Sequence, residues 1–336
     1  RLRHRGFGKW GLGPTDSTGS PIRQGFDRFY GYNCQRNAHS FFPPFLDDDE
    51  GIETINEKAI PGHQRKPKGT IVANDYRSET YAPDRILAEA LEFLDANRDG
   101  PFFLYCPFVE PHVAMHPPRE WVDRYPEKWD EEKGAYRGQN GYLPHPRPRA
   151  GYAAMISDLD EHVGAILKRL EKHGLVENTI VIFTSDHGDW MGEHGLMQKA
   201  LLHYQGLLRA PFIWVDPDEK EPGEIVSALA CSQDIPNSIL IRAGLAPAAG
   251  MLGEDLTKIM INGEPSRRDG IVVEQSTALP LPGRDQSMRV KTFVDHNWRL
   301  SYYPGESWGE LYDLQSDPGE ITNLWTSPDH TIPRLE

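Results

Sequence analysis

A helix that leads straight into a buried strand, and then into a polar loop, constrains this chain more than any other stretch. From Arg149 to Lys172 the apolar residues Tyr152, Met155, Ile156, Leu159, Val163, Ile166, Leu167 and Leu170 recur at helical spacing, and His173-Gly174 supplies a C-terminal stop. Thr179 to Thr184 follows as a short, β-branched apolar run, the pattern of a fully buried strand in a parallel sheet. Polar chemistry begins where that run ends, at Ser185-Asp186-His187-Gly188. Helix, turn, strand and polar loop form one αβ unit, and alternation of this kind implies an α/β fold with a mostly parallel sheet sandwiched by helices.

The rest of the chain supplies further elements of that architecture. Ile86, Leu87, Ala90, Leu91 and Leu94 share one face of a helix over residues 82–97, which Gly100-Pro101 stops. Phe102 to Phe108 reads as a second buried strand, Pro211 to Val215 as another, and Ser232 to Ala243 as a further helix. Beyond about Pro247 short strands at Gly270–Glu274, Met288–Val294 and Trp298–Tyr303 alternate with turns. The expected organisation is an α/β core over residues 1–247 and a small sheet-bearing subdomain over 248–336. Residues 1–13 read as a basic opening and a Gly-rich turn, residues 25–44 as an ordered aromatic loop, 51–75 as a polar surface excursion, and 119–148 as a long loop with short helical turns.

In an open α/β sheet, ligands bind beyond the carboxyl ends of the strands. Asp186 and His187 stand at such an end and offer a hard oxygen and a borderline nitrogen to one cation; the alternative is an ordinary turn and helix cap. Lys199 can set a positive charge against an anionic group held there. Lys9, in its Gly-rich turn, is either an anion ligand or a snorkelling surface lysine. His112 and His116, braced by Pro111, Pro117 and Pro118, suit a general acid or an anion-binding imidazole; otherwise they decorate a Pro-rich turn. His39 is a pocket residue or a partly buried, hydrogen-bonded histidine. The acidic run from Asp47 to Glu50 reads as a solvated loop.

Composition excludes some partners. A formal charge of −14 over 336 residues argues against a nucleic-acid backbone, although a local basic pocket for a small anion is compatible with it. No apolar run reaches the length of a membrane span, and the opening residues show no signal-peptide pattern. Nothing in the sequence names a compartment. The three cysteines, Cys34, Cys106 and Cys231, are too few and too scattered for a disulfide framework or a zinc cluster.

Four stretches resemble the sulfatase branch of the alkaline phosphatase superfamily. Gly8-Lys9-Trp10-Gly11-Leu12-Gly13 resembles the GKWHLG motif, Pro111-His112 to Pro118 the histidine-bearing, proline-rich motif, and Ser185-Asp186-His187-Gly188 with Lys199 the metal-ligand turn and its sulfate-binding lysine. Trp308 to Leu314, through Asp317-Pro318 to Asn323-Leu324, resembles the carboxy-terminal ELYDL-DP-E-NL signature. The resemblance implies an alkaline phosphatase-like fold and a divalent cation on Asp186 and His187, which is calcium in many sulfatases and manganese or zinc in some relatives. It also implies Lys199 and Lys9 on the oxygens of the ester anion, His112 binding the ester or protonating the leaving oxygen, and a small-molecule or carbohydrate anionic ester as partner. His116 lies in the same motif as a substrate-binding candidate.

The chain also departs from the family pattern. No Asp pair for the same metal precedes Lys9, and none of the three cysteines lies in a CxPxR-like motif of the kind converted to formylglycine. Gly11 stands where many relatives carry a histidine, and Ala38-His39 is a candidate to return that imidazole. The part before about Ser185 is similar to one branch of the family and the part after it to another. Three functions compete on this basis. One is an anionic-ester hydrolase of which this is a truncated portion; the second is a truncated enzyme that hydrolyses phosphate esters by metal-activated water; the third is a binding module that keeps the fold without the chemistry. A clipped strand would leave sheet edge and apolar surface unpaired, so a homo-oligomer is expected.

Overall fold

β1 (Arg3–Lys9) is an interior strand, a place its charged, Gly-rich sequence does not advertise. It runs parallel to β2 (Arg28–Tyr32) on one side and to β5 (Phe102–Tyr105) on the other. The reason lies in close backbone approach. Gly8 faces Gly31 in the register of β1 and β2, a Cβ on Gly31 would stand 2.1 Å from the Gly8 carbonyl, and a Cβ on Gly8 would stand 2.2 Å from the Pro107 carbonyl. Both glycines hold φ +144, which L side chains avoid. Glycine serves contact between strands here, so the turn expected over residues 1–13 and the loop expected over 25–44 both begin as sheet.

The computed structural model describes residues 2–49, 51–62, 77–130, 142–143, 145–219, 223–277 and 285–330. They fall into two units: Arg1–Thr179 with Met191–Met197, and Ile180–Trp190 with Gln198–Glu336. The boundary expected near residue 247 therefore lies inside the second unit. Most of the surface excursion expected over residues 51–75, and part of the loop expected over 119–148, lie outside the described residues.

In the first unit the five-stranded sheet has the order β4-β3-β2-β1-β5, with β3 (Phe45–Asp48) and β4 (Gly51–Thr54) added antiparallel at one edge. α1 (Ala82–Asn97) spans the residues that the periodicity predicts, carries Pro in its first turn and packs on β1. Phe7, Tyr30, Tyr32, Ile86, Phe93 and Met155 belong to one buried cluster. Short α2 (Arg119–Val122) and long α3 (Pro148–Lys172) follow, and α1 also packs on α3.

The buried face of α3 differs from the expected apolar stripe. Ala154, Met155, Asp158, His162 and Leu170 are buried, whereas Ile156 and Leu167 are 45% and 43% exposed. A polar pair thus occupies the inward face, where His162 meets Asp84 of α1, a pairing that apolar periodicity cannot register.

In the second unit β6 (Val181–Thr184) pairs antiparallel with β7 (Phe212–Val215), joined through short α4 (Gln205–Leu208). The fully buried parallel strand expected over 179–184 is instead half-buried with an antiparallel neighbour; an apolar run fixes extended backbone but not the direction of its partner. α5 (Asp234–Arg242) and α6 (Leu256–Met260) pack together and lead into a four-stranded antiparallel sheet of order β11-β10-β9-β8, built from β8 (Ile271–Ser276), β9 (Arg289–Val294), β10 (Trp298–Tyr302) and β11 (Gly309–Asp313). The α/β class with a parallel core, helices and a C-terminal antiparallel sheet is therefore observed as expected.

That sheet explains the carboxy-terminal signature. Arg299 is fully buried, makes an ion pair with Glu320, lies 3.2 Å from a Glu310 carboxylate oxygen, and stacks its guanidinium on Tyr204 and Tyr312 at 4.9 and 4.6 Å. Asn323 accepts the Leu311 N–H and donates to the Gly309 carbonyl, tying the last segment back to β11. The motif is a clasp around a buried cation.

Candidate metal and anion site

β6 ends at Thr184, and the next three residues fold the Asp186-His187 pair into a self-bonded turn. The Ser185 hydroxyl donates to the His187 carbonyl at 2.8 Å, and the His187 N–H donates to Asp186 Oδ1 at 3.0 Å. Gly188 anchors the turn, since its N–H donates to the Leu207 carbonyl and a Cβ there would lie 2.0 Å from the Gly206 carbonyl.

The geometry assigns the His187 tautomer. Nδ1 lies 2.6 Å from the Gly188 carbonyl, which only accepts, so Nδ1 carries the proton and Nε2 the lone pair. Lys199 donates to Nε2 at 2.6 Å, consistent with that state. Asp186 Oδ2 stands 3.3 Å from the same nitrogen. The Lys199 ammonium occupies the Nε2 lone pair here, and the carboxylate oxygen beside it completes a nitrogen and an oxygen ligand that a metal ion would take in the ammonium's place. Two ligands about 2 Å from a tetrahedral ion stand roughly 3.3 Å apart, so this pair fits a shared metal ion. Among the described residues no third His, Cys, Asp or Glu joins the pair. The Asp186 side chain is 80% exposed, which leaves the site open to solute.

In the first unit Lys9, His39 and His112 follow the carboxyl ends of three adjacent parallel strands. Lys9 closes β1 and its N–H donates to the Pro107 carbonyl at 2.8 Å; His39 lies on a 3-10 turn after β2, and His112 on the loop after β5. The rings of His39 and His112 stack, with Tyr142 edge-on to both. The Nδ1–H of His112 donates to the Val113 carbonyl, so its proton-accepting nitrogen is Nε2.

His116 differs from its expected role. It is 1% exposed, with its ring edge-on to Phe41, and burial together with the neighbouring His145 lowers its pKa to about 3. An imidazole held neutral in the core wall does not reach solute, so it supports the loop and is no substrate ligand. The three cysteines are free; Cys34 is exposed, and desolvation pushes the partly buried Cys106 thiol up to about 12, away from the reactive thiolate.

Sequence reasoning missed one cluster. Asp84, in the first turn of α1, meets Asp158 and His162 of α3, with the His162 Nε2 3.0 Å from Asp84 Oδ1 and Nδ1 3.8 Å from buried Glu110. Burial raises the Glu110 carboxyl to about 7 and that of Asp158 to about 6. Burial also works against charge on His162, but the Asp84 hydrogen bond and the charges of Glu110 and Asp158 outweigh it and raise its pKa. The available signal was Asp and His four apart on one helix face.

Residues 2–245 match the family model described as Sulfatase, and residues 192–333 match the one described as N-sulphoglucosamine sulphohydrolase, C-terminal. The chain is 28% identical over 278 residues to an arylsulfatase of Clostridium perfringens, covering 76% of this chain and 56% of that protein. It is 28% identical over 335 residues to an ulvan-active sulfatase of Formosa agariphila, covering 96% and 59%. It thus spans less than two thirds of the length of these relatives. Among solved structures, one in complex with its substrate D-glucosamine-2-N,6-O-disulfate superposes with a TM-score of 0.74 at 20% identity, covering 98% of this chain and 76% of the other. The phosphonate monoester hydrolase of Agrobacterium radiobacter superposes with 0.71 at 19% identity, covering 99% and 76%. At such identities these likenesses show the fold. No helix among the described residues is long and apolar enough to cross a membrane. With more than half its length matched by one model, the chain belongs to the sulfatase family.

Proposed function

We propose that this chain carries part of the machinery of a metal-dependent hydrolase of anionic esters, with a sulfate ester on a small molecule or carbohydrate as the substrate class. The observation that carries the reading is the placement of Asp186 Oδ2 3.3 Å from His187 Nε2, with the Lys199 ammonium against the same nitrogen. Asp186 and His187 hold the cation, whose chemistry when bound is to polarise the ester oxygens and offset their charge. Lys199 then turns its ammonium to a non-bridging oxygen, where charge gathers as the ester bond breaks. The family resemblance assigns Lys9 to a second such oxygen. In the role the resemblance gives it, His112 takes a proton from solvent on Nε2 and passes it to the leaving oxygen, with Nδ1 anchored to Val113.

Sugar sulfates are favoured because relatives and a structural neighbour are named for sulfated carbohydrates. A second reading, phosphonate or phosphate ester hydrolysis through activated water, is favoured by the phosphonate monoester hydrolase neighbours.

One experiment separates these readings. The purified chain is assayed on 4-nitrophenyl sulfate, a phenyl phosphonate monoester and a glucosamine sulfate, before and after chelation and with calcium, manganese or zinc restored. Turnover that disappears on chelation and returns with one metal supports the proposal, and the ester preferred picks the reading. Turnover indifferent to a strong chelator rejects it, as does a purified chain that retains none of the three metals after gel filtration.

A further inference from the structure

We propose that Asp84, Asp158 and His162 form a second divalent-cation site, of transition-metal type, between helices α1 and α3 of the first unit. One ligand atom from each residue lies within 4.8 Å of the others, and Asp84 Oδ1 stands 3.0 Å from His162 Nε2, a separation two ligands of one ion adopt. Asp158 and His162, four residues apart on α3, project from one face of the helix and are each 4% exposed, while the Asp84 side chain is 62% exposed and opens the cluster to solvent. One imidazole nitrogen with two carboxylates suits zinc, manganese or cobalt better than calcium.

Two independent features point to a bound ion. Asp158 Oδ2 is buried and makes no hydrogen bond, although the carboxyl group has Trp121 and the charge of His162 beside it, so one of its two oxygens is left without a donor. Glu110, 6% exposed, is a third acid, with no side-chain hydrogen bond to either carboxylate oxygen, and its Oε1 lies 3.8 Å from His162 Nδ1. Two acids buried around a single imidazole have no economical explanation as hydrogen bonding alone. Ligation through Nε2 explains both. It leaves the proton on Nδ1, facing Glu110, in the carboxylate–histidine–metal relay that orients ligating histidines. Glu110 is then a positioning residue and the other three are ligands.

The test uses the full chain in a His187→Gln background, which removes the other candidate ligand pair, so its outcome is independent of the proposed hydrolase activity. Titration with Co²⁺ is followed by its visible ligand-field absorption and by bound metal after gel filtration. One equivalent is expected. Asp158→Asn and the exposed Asp84→Asn each weaken Co²⁺ binding at least tenfold, and Glu110→Gln weakens it roughly ten- to hundredfold. Asp84→Asn keeps the test decisive where a buried variant fails to fold. No Co²⁺ retained by His187→Gln, or equal affinity in Asp84→Asn, overturns the site; unchanged affinity in Glu110→Gln overturns the positioning role.

Discussion

The imidazoles of His39 and His112 lie face to face, 4.9 Å between centroids and 8° from parallel. Two imidazolium charges at that distance repel by roughly 3 kcal/mol at an effective dielectric of about 20, so the stack accommodates one proton more readily than two. That suits a pair of which one ring donates a proton to a leaving group. The leaving group then reports the role. With an alkyl or sugar alkoxide as leaving group, His112→Ala lowers kcat/KM by roughly 10²- to 10⁴-fold, whereas with 4-nitrophenolate, which leaves without a proton, the loss is small. Equal losses on both substrates assign His112 to binding alone.

The parts of this stack that were legible in the sequence were those bracketed by proline and by a strand end, and the same holds elsewhere. α1 and α3 were readable within a residue or two because helical periodicity is local. β1 and β2 were not, because their glycines answer to neighbours far along the chain, such as Pro107, and look like turn residues in isolation. Asp186, His187 and Lys199 were readable as a set, since a strand end and a short loop hold them. The Asp84, Asp158, His162 and Glu110 cluster was not, because it is assembled from residues up to 78 positions apart. His116 shows the opposite failure: a site-like motif whose second imidazole turns inward.

The Arg299 clasp makes a stability claim. Arg299 is buried between Glu310 and Glu320 and donates to the Ser301 hydroxyl at 2.6 Å. Removing Glu320 leaves the Arg299 Nε–H without its acceptor in the core, so Glu320→Ala is expected to cost about 1 to 3 kcal/mol. Arg299→Met combined with Glu310→Gln and Glu320→Gln recovers most of that loss, because the neutral set needs no compensation. Urea midpoints of the three proteins decide. A single-acid variant as stable as the parent refutes the clasp.

His116 and His145 set an acid limit on the first unit. Burial holds their pKa values near 3 and near 4 in the folded chain, against an ordinary value of about 6.5 when unfolded. Above about pH 6.5 both states are neutral and the pair is indifferent to pH. As pH falls below that, the unfolded chain takes up protons that the folded chain refuses until about 4 and 3, so stability declines across that window. The slope is on the order of 1 kcal/mol per pH unit for each histidine. His116→Gln should flatten the decline measured by urea midpoints between pH 7 and pH 5. An unchanged slope shows that other groups govern acid unfolding.

Gly8 offers the sharpest test of how the sheet closes. A Cβ there meets the Pro107 carbonyl at 2.2 Å, and the backbone sits at φ +144, so Gly8→Ala has neither the space nor the conformation to fit. The carbonyl in its way belongs to the segment that extends β5 toward His112, and the Lys9 N–H bonds to that same carbonyl. The substitution is therefore expected to separate β1 from that segment, at a cost of about 3 kcal/mol or more, and to disturb the Lys9 and His112 strand ends together. Gly100→Ala is the control: nothing lies within 4 Å of its added Cβ, and its φ is outside the left-handed region, so its effect stays within about 0.5 kcal/mol. Amide exchange localises the damage. Fast exchange at the Lys9 amide in Gly8→Ala, with Gly100→Ala protected as the parent, is the expected result; equal protection in all three proteins would show that Gly8 is not what brings β1 and the Pro107 segment together.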